Sequence, residues 1–231
     1  MTPSLKMNAP VLKLNLTEII EDIFMVLTEK EREVVVQRFS LDNKERRTLE
    51  SIGRSFNVTR ERVRQIEKIA LGKLKRTVNS TKLRFIHEVA EAILRENGGL
   101  LLEDDLTRRI LDMIENSIDV DQHIVRLSLT ICPSLAYLEK NNTFRLSWHL
   151  SSISPAVIEE LLDHAHGVFS QKKEVMDEEA LVAEMKKHKH AQTFGFAEDF
   201  FTALLQVDER IKKTEAGYGL MAWRHINPKS I

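Results

Sequence analysis

Arg60, Glu61, Arg64 and Gln65 form two i,i+4 pairs, Arg60 with Arg64 and Glu61 with Gln65, inside the string TLESIGRSFNVTRERVRQIEKIALGKLKR. The types are those that read base edges. Arginine can donate two hydrogen bonds to guanine, glutamine can pair with adenine, and glutamate can accept from the cytosine amino group. Such chemistry needs a helix whose N-terminal turn faces the major groove while its other side rests on a partner helix. Val63, Ile66, Ala70 and Leu74 supply that resting side at helical spacing. Thr59, Arg62, Lys68 and Lys73 are then expected on the DNA backbone, with Lys75 and Arg76 near phosphate or in solvent.

The elements that position these residues follow from the same periodicity. Leu49, Ile52 and Phe56 make the inner face of a short helix capped by Thr48; Asn57-Val58 is a turn; Thr59 caps the longer helix. That is a helix-turn-helix. Upstream, Leu16, Ile19, Ile20, Ile23, Phe24 and Leu27 form one apolar stripe, and Thr28-Glu29-Lys30-Glu31 has the form of a capping box opening a helix to about Phe39 that buries Val34, Val35 and Phe39. Residues 1–15 read as a flexible arm and 77–82 as a linker.

Residues 83–150 and 151–231 look like one unit written twice. The first has helices at about 85–96, 103–114 and 122–129, with a Gly98-Gly99 break. The second has helices at 155–169, 177–187 and 197–205. Each closes with a hairpin and a tryptophan, Trp148 or Trp223. Asn141-Asn142 is expected to separate paired runs in the first, with Phe144, Leu146 and Trp148 on one face, and Gly217 to Gly219 to form the turn in the second. Three helices and a two-stranded ribbon make a winged helix. The fold class is thus mainly α: a helix-turn-helix head followed by two winged-helix-like repeats.

Composition bounds the function. The chain has 231 residues, enough for one large domain or two to three small ones at roughly 100 to 200 residues each. The 34 Lys and Arg against 35 Asp and Glu hide an asymmetry. Between Thr28 and Lys82 there are 15 basic and 8 acidic residues, a net of +7, while the remainder has 19 and 27, a net of −8. A basic motif gains affinity for duplex from counterion release, and an acidic tail does not. The single cysteine, Cys132, excludes an internal disulfide and any cysteine-based zinc cluster, and reads as a buried thiol. His164 with His166, and His188 with His190, are i,i+2 pairs that diverge by about 200° on a helix and so cannot chelate together there. No phosphate-cradling loop, H-E-x-x-H or Gly-x-Ser-x-Gly elbow occurs. No enzyme, metal or cofactor is expected, and no membrane partner.

LTEKEREVVVQRFSL, followed by TLESIGRSFNVTRERVRQIEKIALGKLKR, resembles region 4 of the bacterial sigma-70 family, the domain that binds the minus-35 promoter element. The likeness covers about Leu16 to Arg76. It implies base reading by Arg60, Glu61, Arg64 and Gln65, and a grip on the flap of the RNA polymerase β subunit by the preceding helices, making Ile20, Phe24 and Val35 candidate contacts. It further implies promoter DNA as partner and a place on the bacterial nucleoid in the cytoplasm. A self-sufficient sigma factor has an aromatic-rich upstream region; only 27 residues precede Thr28, and Phe24 is their sole aromatic. The expectation is therefore a transcription factor with a sigma-like head, or else a polymerase accessory subunit in which flap binding dominates. The C-terminal repeats resemble the HARE type of winged helix, a module also found in the delta subunit of bacterial RNA polymerase.

Overall fold

The computed structural model describes residues 13–227 apart from 116, 117 and 119; all but the last three residues of the expected N-terminal arm lie outside them. Helices α1 (Leu16–Phe24), α2 (Glu29–Phe39), α3 (Leu49–Ser55) and α4 (Arg60–Thr77) come first. Their starts are fixed by side chains that accept orphan backbone N–H groups: Asn15 from Glu18, Thr28 from Glu31, Thr48 from Ser51 and Thr59 from Arg62. At Thr28 the capping box is complete, with Glu31 Oε2 accepting from the Thr28 N–H at 2.8 Å.

Then follow α5 (Arg84–Glu96), β1 (Leu100–Leu102), α6 (Glu103–Leu111), α7 (Asp121–Ile131), β2 (Leu135–Leu138) and β3 (Ser147–Leu150). The second repeat comprises α8 (Pro155–Lys172), α9 (Glu178–Met185), α10 (Lys189–Phe194), α11 (Glu198–Val207), β4 (Ile211–Thr214) and β5 (Gly217–Leu220). The expected 77–82 linker is instead the end of α4 and a 3-10 turn, Val78–Ser80, because Val78 and Leu83 are both fully buried and hold the chain down.

Both repeats have winged-helix topology, the first with one strand more than the sequence suggested. β1, just after Gly98-Gly99, pairs antiparallel with β3, giving the order β1-β3-β2 with Leu101 opposite Trp148. In the second repeat β4 pairs with β5, and Met176 bridges Tyr218 on the far side of β5 as a one-residue copy of β1. The hairpins differ in detail from expectation. Phe144 precedes the strand and bridges Asp208, and Gly217 to Gly219 lie within β5 and not in the turn. Trp148 is buried under its sheet, Trp223 half-buried against Phe169.

Contacts divide the chain into two compact units that cross the linear repeat boundaries. One contains the head to Ala90 together with Thr107–Pro133; the other contains Glu91–Leu106 and everything from Ser134 onward. The first repeat is therefore shared. In the first unit α7 packs on α1, α2 and α4, and a ring nitrogen of His87 on α5 lies 2.9 Å from the Ser128 carbonyl oxygen. In the second unit α11 packs on β1, so closely that a side chain on Gly98 would meet the backbone of Asp199 and Phe200. The third helix of each winged helix, the position that enters the major groove in three-helix DNA readers, is thus spent on internal packing. Gln122 is the one exposed residue of α7, and α11 exposes Glu198, Asp199 and Gln206.

Candidate nucleic-acid interface

Val34 of α2, Ile52 of α3 and Val63 and Ile66 of α4 form the small core beneath the interface, with Leu49, Phe56 and Val58 packed around it. The turn between α3 and α4 is tight. The Val58 N–H donates to the Gly53 carbonyl at 2.9 Å, a Cβ on Gly53 would come within 2.7 Å of the Val58 oxygen, and Asn57 takes a left-handed conformation with φ 52°. Two interhelical ion pairs fix α4 against α2. Arg38 Nε donates to Glu67 Oε1 at 3.0 Å, with both side chains about 15% exposed, and Lys73 Nζ donates to Glu31 Oε2 at 2.8 Å.

This frame turns Arg60, Glu61, Arg64 and Gln65 outward at the start of α4, all exposed, together with Thr59, Arg62 and Lys68. The side-chain bonds among them run i,i+3. Glu61 accepts from Arg64 Nε at 2.8 Å and from Arg64 Nη2 at 2.7 Å, and Arg62 Nη1 donates to Gln65 Oε1 at 3.2 Å. The Arg64 guanidinium holds the Glu61 carboxyl below the usual carboxylate range, and Glu61 in turn raises Arg64. The face is therefore charged and self-paired without DNA, and base contacts must exchange with these bonds.

Lys73, expected on the DNA backbone, instead closes onto Glu31, because its position on α4 lies over the first turn of α2. Ile20, Phe24 and Val35, expected as flap contacts, are 4%, 3% and 0% exposed. They are core: the apolar sides of α1 and α2 lie in the unit that α7 completes. Spacing did not single out two further basic features, one residue and one short stretch. Arg54 projects from α3 with its side chain 79% exposed. Lys44, Arg46 and Arg47 line a cleft of about 380 Å³ with Thr48 and Ser51 before α3; three basic residues in four positions ahead of a threonine cap were the available signal.

Residues 23–76 match the family model for sigma-70, region 4. This segment is similar to sigma-70, region 4. The chain is 49% identical over 69 residues to the RNA polymerase sigma factor SigA of a Bacillus species, of Listeria monocytogenes and of Listeria innocua. That match covers 30% of this chain and 18% of each relative, so the chain spans less than a fifth of their length. The matched segment spans α2, α3 and α4, and α3 and α4 form a helix-turn-helix within it.

Outside region 4, tertiary folding gathers histidines that spacing alone kept apart. His188 precedes α10 as its N-cap and so escapes the helical divergence expected for an i,i+2 pair; its ring lies 5.2 Å from that of His164 and 5.5 Å from that of His190, and His190 Nε2 is 2.9 Å from Glu160 Oε2. Among the described residues no group of three His, Cys, Asp or Glu is placed to hold a metal ion. Cys132 is a buried thiol. No described helix is long and apolar enough to cross a membrane.

Proposed function

We propose that this protein is a bacterial sequence-specific transcription factor that reads minus-35-like promoter elements with α4. The observation that carries the reading is the exposed quartet Arg60, Glu61, Arg64 and Gln65, aimed outward by Val63, Ile66, Ala70 and Leu74, which are at most 6% exposed. Arg62 and Lys68 contact phosphates, helped by Lys44, Arg46 and Arg54. The winged-helix repeats serve protein contacts, since their third helices are engaged internally and the exposed side of α11 carries Glu198 and Asp199. The proposal assigns no catalytic step and no cofactor. An accessory role resting on Ile20, Phe24 and Val35 at the polymerase flap loses support from their burial.

Selection of preferred duplexes by the intact protein tests the reading. A minus-35-like motif should emerge. Arg64→Ala and Gln65→Ala should each narrow the gap between that site and random duplex by about 1 to 3 kcal/mol, the usual worth of a bidentate base contact. Affinity should also fall by orders of magnitude as salt rises. No enriched motif, or an unchanged specificity ratio in Arg64→Ala, overturns it.

A further inference from the structure

Little packing holds α10 to its unit. Ala191 is its one buried residue, Lys189, Gln192, Thr193 and Phe194 are exposed, and its main contact is with α8. A helix this short does not hold by itself in water, so its cap matters more than a cap on a long helix does. That cap is a histidine: the His190 N–H donates to His188 Nδ1 at 3.4 Å. At the other end Gly195 closes the helix in a left-handed conformation, φ 60°, with its N–H on the Ala191 carbonyl.

The caps of α1 to α4, Asn15, Thr28, Thr48 and Thr59, do not titrate. His188 does. A neutral imidazole accepts through one lone pair, and the lone pair that holds the His190 N–H is the one that takes the proton when His188 becomes charged. Protonation therefore turns the acceptor into a donor and removes the cap. It also leaves a cation at the N-terminal, positive end of the helix.

The surroundings add to the effect. On α8, the His164 ring lies 5.2 Å from that of His188, with its Nε2 3.1 Å from the Glu184 carbonyl oxygen of α9. On α10, the His190 ring lies 5.5 Å away and Lys189 follows His188 directly. Glu160 of α8 faces the cluster, but its Oε2 lies 2.9 Å from His190 Nε2 and 3.8 Å from Lys189 Nζ. The other carboxylates around it are paired as well: Asp163 with Arg210, Glu184 with Lys172 and Lys187, and Glu198 with Lys186. Burial first, then His164, His190 and Lys189, hold the His188 pKa below the ordinary 6.5 against the pull of Glu160. A base that binds its proton more weakly in the closed form than in the open one makes acid favour opening.

We propose that His188 makes α10 an acid-released helix: at neutral pH the cap holds Lys189–Phe194 helical against α8, and mild acid removes the cap and unwinds that segment while α8 and α11 stay folded. α11 is spared because Phe200, Phe201, Leu204 and Leu205 are at most 1% exposed, and Phe196 stacks on Phe200 at 4.0 Å, anchoring the chain beyond Gly195. The released piece carries Phe194, already 57% exposed, so acidity sets the form of an apolar point on the surface of the second repeat, independently of base reading by α4.

NMR of the full chain through a pH series from about 7.5 to 5.5, at constant ionic strength, is the test. The Cα shifts of Lys189–Phe194 should move from helical toward coil values as the His188 imidazole titrates, while those of Pro155–Lys172 and Glu198–Val207 stay. One proton changes the ratio of open to closed by at most about tenfold per pH unit, and a rise of about tenfold over the series is expected. His188→Asn keeps an acceptor that does not titrate, so α10 should stay helical at every pH. His188→Ala has no acceptor, so α10 should be released already at the neutral end of the series, with no further response to acid. Unmoved α8 and α11 shifts show that each variant folds; if either does not, the wild-type series decides alone. Wild-type α10 shifts that ignore pH, an equal response in His188→Asn, or loss of α8 and α11 together with α10 overturns the inference.

Discussion

Lys73→Ala should cost stability and leave the salt dependence of DNA binding almost untouched. Lys73 Nζ lies 2.8 Å from Glu31 Oε2, with the Lys73 side chain 34% exposed and that of Glu31 12%. A hydrogen bond to a charged group contributes about 1.5 to 3 kcal/mol and an exposed ion pair about 0 to 1. Glu31 keeps its bond from the Thr28 N–H in the variant, and Lys73 is a third solvated, so about 1 to 2 kcal/mol is expected. For a protein of this size that is about 2 to 8 °C in Tm. Lys68→Ala, at an exposed position, should change stability by less than about 0.5 kcal/mol and lower the salt slope by about 1. Burial opposes ionisation of Glu31, but the bonds from Lys73 and Thr28 outweigh it and hold the carboxyl below its ordinary 4.5. The contribution of the pair is therefore full above about pH 4.5 and lost as pH falls through the lowered folded value, so the gap between wild type and Lys73→Ala should close in acid. Thermal melts at several pH values and binding isotherms at several salt concentrations measure both. Loss of salt slope in Lys73→Ala equal to that in Lys68→Ala, with no change in Tm, would refute the placement.

Gly98→Ala should unfold the second unit or cost several kcal/mol, about 3 or more, since φ is +76° and the new Cβ would strike the backbone of Phe200; Gly72→Ala, with open space around it, should be neutral or slightly stabilising by comparison. Burial, first of all, depresses the pKa of His149, His123 and His188, with the neighbouring His164 and His190 adding to the effect at His188. Their folded values lie below the unfolded one near 6.5, so stability should be complete above about pH 6.5 and decline as pH falls below it. His188→Asn, which keeps a cap acceptor and cannot titrate, should flatten that decline in a pH series of melts. A fragment of residues 13–82 leaves α1 without α7 and should lose its α1 helix by circular dichroism, whereas residues 13–133 should retain it; each uncovered Ile or Phe forfeits about 1.5 to 3 kcal/mol. An equally stable 13–82 fragment would show that α7 is dispensable.

Region 4 was legible because its signals are local. Thr28, Thr48 and Thr59 cap helices through atoms three residues away, and Val63, Ile66, Ala70 and Leu74 mark the buried side of α4 by period alone. With that side fixed, the outward direction of Arg60, Glu61, Arg64 and Gln65 follows from helix geometry. The winged-helix order was legible for the same reason. What spacing could not settle was which apolar stripe meets which. Ile20 and Phe24 read equally well as a partner surface or as core, since an apolar stripe states only that something must cover it; α7, distant in the chain, decides the matter. Lys73 reads as one more cation on a basic helix until folding sets Glu31 beside it. β1 is three residues long, too short for a pattern, and exists because β3 supplies its hydrogen bonds. Periodicity determines which side of an element is buried; the identity of the neighbour is a long-range contact that only the folded chain selects.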